Sequence, residues 1–355
     1  MVKYLGSKRR LLSRIVGLAD AFPGARRVAD LFSGTSRVGH ALKRAGYQVI
    51  ACDHNAYAAA LARCYVQADR EEVERDARLV LAELSRLPGA PGYFTETFCL
   101  RSRYIHPSNG ERIDAMRERL ARLSLEPDLE AVVLVALMEA ADRVDSTTGV
   151  QMAFLKRWAP RALNPIELRL PDILARAPAG KGLALHADVL DAAPDIDADI
   201  AYIDPPYNQH SYLGNYHVWE SLVRWDKPEV YGVACKRTDC RERRSLFNSR
   251  VEHAPAMARL FESVRAPVLI VSFNDEGYLS RDDLERMLEG RGRVLVFEND
   301  SKRYVGAQIG IYNPRGEKVG RVGRLRNTEF LFVCASGRWA SHIEDLVPDL
   351  VAPAP

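Results

Sequence analysis

Val28-Ala29-Asp30-Leu31-Phe32-Ser33-Gly34-Thr35 is a short apolar run that ends in a Ser-Gly-Thr break. An apolar repeat at helical spacing follows, Val38, Ala41, Leu42 and Ala45, closed by Gly46. This order reads as strand, tight turn, helix: a buried strand is a brief β-branched run, whereas a helix returns its apolar residues every three or four positions. A second run, Val49 to Cys52, stops at Asp53 and leads into an Ala-rich helical stretch. Strand, helix and strand in that rhythm imply a parallel sheet.

Five more apolar runs begin near Leu183, Ile200, Val268, Val294 and Phe330. The last two are separated by a segment without helical pattern, which suits an antiparallel pair at one edge. From Val66 to Gly180 the strand rhythm disappears, and Glu111 to Leu123 and Leu129 to Val144 read as helices, the second apolar enough to be buried. So long a stretch exceeds a βα connection, so it reads as an insertion. The expected architecture is α/β: a Rossmann-like seven-stranded, mostly parallel sheet with an antiparallel edge pair, plus an inserted helical subdomain. Residues 1–65 and 181–340 would form the sheet domain, 66–180 the insertion and 341–355 a C-terminal tail, of which Pro348 to Pro355 is Pro/Ala-rich and frayed.

At 355 residues, 47% hydrophobic and 27% charged, the chain is neither disordered nor a small disulfide-stapled fold. Its six cysteines show no CxxC pair and no His at zinc-ligand spacing, so they read as reduced and mostly buried, with no metal expected. No apolar run reaches membrane-span length, and no apolar segment follows Lys3 and Lys8 to Arg10. The expected location is cytoplasmic. A formal charge of +3 does not by itself identify a nucleic-acid binder.

Asp30 to Thr35 falls at the carboxyl end of the first strand, where a doubly wound sheet binds its nucleotide. Gly34 lets backbone approach a ligand, although Ser36 stands where a second close glycine might. A merely structural turn is the alternative. Asp53, ending the second strand, is placed to accept hydrogen bonds from ribose hydroxyls, so the pair suggests an adenosine-containing cofactor. Ile200-Ala-Tyr-Ile runs straight into Asp204-Pro205-Pro206-Tyr207, for which the bland reading is a rigid turn. Chemistry favours more. An exocyclic amine on adenine or cytosine is a poor nucleophile because its lone pair is delocalised into the ring. A carboxylate from Asp204 and the carbonyl of Pro205 would hold its hydrogens and orient it for in-line attack. Consecutive prolines fix that carbonyl, and Tyr207 offers a face on which an extruded base stacks.

Taken together these segments resemble the Dam-like, group alpha class of adenine-N6 DNA methyltransferases. Lys3-Tyr4-Leu5-Gly6-Ser7-Lys8 resembles the N-terminal motif that caps the methionine end of S-adenosyl-L-methionine. Asp30, Phe32, Ser33, Gly34 and Thr35 match its FxG cofactor motif, Asp53 beside His54 its ribose acid, and Asp188 with Val189 the acid that meets the cofactor's adenine. Asp204 to Tyr207 match the catalytic Asp-Pro-Pro-Tyr, and Ile270 to Gly277 a later strand-end motif that shapes the pocket. The resemblance implies a site-specific enzyme that methylates the N6 amine of a flipped adenine and releases S-adenosyl-L-homocysteine. It also implies that the helical insertion recognises the target sequence. Cytosine N4 as target, an RNA substrate and a regulator without turnover are the alternatives.

Three basic clusters bear on double-stranded DNA as the partner. Lys3, Lys8, Arg9, Arg10 and Arg14 precede any acid; Lys236 to Arg250 holds six basic residues against two acidic; Lys302 to Arg326 holds seven against Glu317. Each reads either as a solvated face or as a phosphate contact, and together they favour a basic cleft. Arg237, Arg241, Arg243, Arg244, Lys302, Arg303 and Arg321 are the expected DNA-binding residues. Tyr212, Tyr216 and Trp219, at helical spacing, read as packing residues. In the insertion Tyr104, His106 and Lys156-Arg157-Trp158 are candidates for DNA contact. A cognate restriction endonuclease is a conceivable partner and a membrane is not.

Overall fold

The computed structural model describes residues 1–302, 311–312, 318–320 and 326–346. Each of the seven apolar runs forms a strand of one sheet: β1 (Arg27–Asp30), β2 (Gln48–Asp53), β3 (Leu183–His186), β4 (Ile200–Ile203), β5 (Val268–Asn274), β6 (Arg293–Lys302) and β7 (Arg326–Ala335). Their spatial order is β3-β2-β1-β4-β5-β7-β6. β1 to β5 pair in parallel, and β7 runs antiparallel to both its neighbours, which gives the expected antiparallel pair at one edge. The order reverses between β1 and β4, so the ends of those strands diverge and open a crevice.

Alternation along the strands sorts the core into two layers. Val28, Val49, Tyr202, Ile270 and Leu331 pack on the face that carries α1 (Leu12–Asp20) and α2 (Arg37–Arg44). Ala29, Ile203, Val271 and Phe332 pack on the other, against the helices His253–Ser263 and Arg281–Glu289. Gly46, at φ +104°, ends the α2 segment in a backbone conformation that L side chains rarely adopt.

The insertion contributes α4 (Arg70–Ser85), α5 (Pro107–Leu120) and α6 (Pro127–Arg143), after α3 (Ala56–Ala62). A proline opens α5 and another α6, each setting φ where the helix lacks an N–H partner anyway. These helices share one core with the sheet domain: Leu81, Met116 and Leu137 pack in the same cluster as Tyr57 and Leu61 of α3 and Trp219 and Leu222 of the helix His217–Arg224. Arg117 donates from Nε and Nη2 to the carbonyls of Leu222 and Val223 at 2.8 and 2.9 Å, closing that helix from the insertion side. Lys3 reaches the carbonyl of Asp142 at 2.7 Å and Asp145 at 2.8 Å.

The six cysteines are free thiols, and all but Cys240 are buried. No helix among the described residues is long and apolar enough to cross a membrane. The tail from residue 347 lies outside the described residues.

Candidate active site

A cleft of about 950 Å³, open to solvent, lies at the carboxyl ends of β1, β2 and β4. Tyr4, Lys8, Asp30, Phe32, Ser33, Gly34, Thr35, Asp53, His54, Asp188 and Val189 all line it, as do Asp204 and Pro206. Gly34 sits at φ +50°, and a Cβ there would stand 3.3 Å from the Tyr4 ring, so both conformation and space favour glycine. Tyr4 is itself held between Tyr212 and Tyr216, with centroids 5.2 and 4.5 Å away and nearly parallel rings. Asp53 accepts from the Gly34 N–H at 3.0 Å and the Asn55 N–H at 2.9 Å. Asp188 caps the short helix Val189–Ala192 by accepting from Leu190 N–H.

Ser36 occupies the left-handed region at φ +57°, where the sequence had suggested a glycine position. It opens α2, and its buried hydroxyl has no hydrogen-bond partner among the described residues. Asp30 is buried and accepts from the Gly39 N–H at 3.0 Å. Burial pushes its carboxyl up to about 7, with the Gly39 bond pulling down and Asp204 and Asp53 pushing up.

Asp204 follows directly on β4. Its Oδ1 lies 3.1 Å from Lys8 Nζ, and the same ammonium pairs with Glu329 of β7. Burial pushes the Asp204 carboxyl up to about 6, opposed by Lys8 and reinforced by Glu329. Lys8 therefore borders the cleft with its charge shared between two carboxylates. Pro205 is buried. Tyr207 meets Phe273 edge-on at 6.0 Å, and its carbonyl accepts from Tyr278 N–H at 2.9 Å. The segment after β5 thus braces the Asp-Pro-Pro-Tyr loop.

Among the basic residues expected to meet DNA, Arg237 does not. It is 1% exposed and pairs in bidentate fashion with Asp226 at 2.7 Å and with Asp239 at 3.0 Å, so its charge is neutralised inside the protein. Arg243 lines the cleft instead, bonding Glu220 at 2.8 Å and the His54 carbonyl at 3.1 Å. Arg241 and Arg244 are exposed, with Arg241 3.8 Å over the Tyr231 ring. Arg303, Arg321 and the Lys302 side chain lie outside the described residues. Tyr104 is buried and donates to main-chain carbonyls, so it is structural, whereas Arg103, His106 and Trp158 form a surface cluster beside exposed Lys156 and Arg157.

Sequence reasoning missed Arg243, Phe247 and Asn248 as cleft walls, and Glu329 as the second partner of Lys8. Glu329 had one signal. It precedes Leu331 and Val333 in an alternating row whose later members are core residues, and a carboxylate at the edge of such a core needs a partner.

Residues 4–273 match the family of D12 class N6 adenine-specific DNA methyltransferases. The chain is 29% identical over 316 residues to the type II methyltransferase M.NlaIII of Neisseria lactamica, covering 85% of this chain and 92% of that one. It is 30% identical over 310 residues to M.FokI of Planomicrobium okeanokoites, covering 82% of this chain and 47% of that protein. To the modification methylase StsI of Streptococcus sanguinis it is 28% identical, with 81% and 46% covered. It spans about half the length of the last two. The chain belongs to the D12 class N6 adenine-specific DNA methyltransferases. It is accordingly an enzyme that transfers a methyl group to adenine N6 of DNA in a site-specific manner.

Proposed function

We propose that the methyl donor is S-adenosyl-L-methionine, held in the cleft, and that the target is an adenine extruded from double-stranded DNA against Asp204. The observation that carries this reading is the convergence of the eleven expected cofactor residues and Asp204 on one cavity. The fit has support of its own. Ser33 and Asn55, which line the cleft, each carry a buried side-chain oxygen, Oγ and Oδ1, without a hydrogen-bond partner among the described residues, as polar groups at a ligand site would. When bound, the cofactor supplies an electrophilic methyl group on a sulfonium.

The protein's own groups do the rest. Asp53 accepts from ribose hydroxyls, Asp188 from the adenine amino group, and Tyr4 closes the methionine end. Asp204 and the Pro205 carbonyl take the N6 hydrogens of the target, which aims the lone pair at the methyl carbon. Arg9, Arg10, Arg241 and Arg244, all exposed, meet phosphates, and the insertion, with Arg103, His106 and Trp158, reads the sequence. The partner class that matches the type II relatives is a restriction endonuclease of the same specificity, in the cytoplasm. Methylation-sensitive long-read sequencing of DNA from a methylation-deficient host that expresses this chain tests the reading. N6-methyladenine at one recurring sequence is expected; DNA without it would overturn the proposal.

A further inference from the structure

Two carboxylates 125 positions apart in the chain converge on Lys8. Asp204 stands at the end of β4 and Glu329 on β7, and the Lys8 ammonium, 8% exposed, bridges them. Neither partner arrives by accident of surface chemistry. Strand alternation directs Glu329 to the face that packs under α1, next to the turn Lys8–Arg10, and the β5–β7 register sets it opposite Asn274. Ser272, fully buried, places its hydroxyl 3.4 Å from the same Glu329 oxygen that meets Lys8. Lys8 occupies Oδ1 of Asp204, and among the described residues no hydrogen bond or ion pair engages Oδ2.

We infer that Glu329 is a positioning residue for methyl transfer: by sharing the Lys8 ammonium it fixes the Asp204 carboxylate with one oxygen turned to the target amine and preserves that carboxylate's strength as an acceptor. The inference rests on the reading of Asp204 as the group that receives the N6 hydrogens. The physical argument is one of charge. A buried carboxylate that faces a whole ammonium alone is held ionised but is a weak acceptor, because the cation already draws on its electron density. A second carboxylate on that ammonium returns part of this strength and leaves the triad with one net negative charge.

Among the described residues, the ionisable groups that act on Asp204 are Lys8 and Glu329, with Asp30 of β1, Tyr202 of β4, Tyr207 of its own loop and Tyr212 of the short helix that follows. Of these only Lys8 pairs directly with Asp204, and Lys8 and Glu329 push the Asp204 carboxyl in opposite directions. Two substitutions should therefore move the pH profile opposite ways. Glu329→Gln should shift the acid limb of kcat lower by about one pH unit. Its plateau should fall about tenfold, with cofactor affinity unchanged. Lys8→Met should move the limb up.

The experiment measures single-turnover methyl transfer to duplex DNA from pH 5 to 9 for the full chain, Glu329→Gln, Lys8→Met, the double variant and Asp204→Asn, with melting temperature and cofactor affinity alongside. Opposed shifts, with the Glu329→Gln loss of plateau rate largely absent when Lys8 is already replaced, support the inference. An unmoved acid limb in Glu329→Gln, or a Glu329→Gln loss that persists in full without Lys8, overturns it while Asp204→Asn remains dead. Wild-type turnover by Asp204→Asn would overturn instead the reading on which the inference rests. Should Glu329→Gln fail to fold, Glu329→Asp keeps the test: its charge is retained, so its limb should stay within a few tenths of a unit of wild type. A full shift of that limb would count against the inference.

Discussion

The backbone N–H of Gly34 donates to Asp53 Oδ2 at 3.0 Å, which ties the loop after β1 to the end of β2. Asp53 thus shapes the cleft as well as lining it. With the ribose bound as proposed, Asp53→Ala would remove its acceptor and free both loops. The dissociation constant for S-adenosylmethionine should rise about 10- to 150-fold, with a smaller effect on DNA affinity. Calorimetry that finds cofactor affinity unchanged would move the ribose out of this end of the cleft.

Asp204→Ala should leave cofactor binding largely intact and lower methyl transfer by about 10²-fold or more, the ordinary loss for one well-placed electrostatic contact. Lys8 retains Glu329 in that variant, so the fold should tolerate the change. Near wild-type rates in a single-turnover assay would remove Asp204 from the chemistry.

Asp30 adds a pH dependence to stability. Its carboxyl, raised to about 7 in the folded protein, keeps its proton where the unfolded chain has already released it. The folded state is therefore favoured at low pH, and that contribution is lost as pH rises from about 4 through about 7. Asp30→Asn should flatten the decline, and denaturant midpoints at pH 5 and pH 8 measure it. Equal declines in wild type and variant would show that the group is ionised throughout.

Ser36→Gly should stabilise the protein by about 0.5–1 kcal/mol. A left-handed conformation costs a non-glycine residue about 1–2 kcal/mol, part of which the greater freedom of unfolded glycine cancels. The change also deletes a buried hydroxyl without a partner among the described residues. A urea midpoint that falls, with unchanged slope, would mean that the side chain packs better than its torsion suggests.

The arginines after β4 should separate by burial. Removing exposed Arg241 and Arg244 together should reduce the slope of log K against log salt for DNA by about 2. Arg237→Ala should instead remove the buried guanidinium shared by Asp226 and Asp239, leave them only the partly exposed Arg224 and Arg243, and cost about 1–3 kcal/mol of stability. Salt titrations and thermal melts of both variants distinguish the two roles.

The sheet was legible because its strands are short apolar runs, each stopped by a residue that cannot continue them: Asp30 before a Ser-Gly turn, Asp53 before a helix, Asp204 before two prolines. Strand ends place a site without tertiary information, which is why the expected cofactor residues converge. Partnership was not legible. Arg237 and Arg241 sit in the same charge run, yet one faces two aspartates and the other a tyrosine ring and solvent. Likewise Glu329 reaches Lys8 only through the pairing of β7 between β5 and β6, a register that no local pattern specifies.

The core that joins Leu81, Met116 and Leu137 to Tyr57, Trp219 and Leu222 has a consequence for re-engineering sequence specificity. A recognition region that rested on the catalytic sheet through a polar seam could be exchanged between relatives as a cassette. Here a transplanted region would have to bring its own counterparts to α3 and to the helix after the catalytic loop, or leave Trp219 and Leu222 facing water. With the insertion reading the sequence as proposed, retargeting would be a matter of redesigning surface positions such as Arg103, Lys156, Arg157 and Trp158 on a retained set of helices.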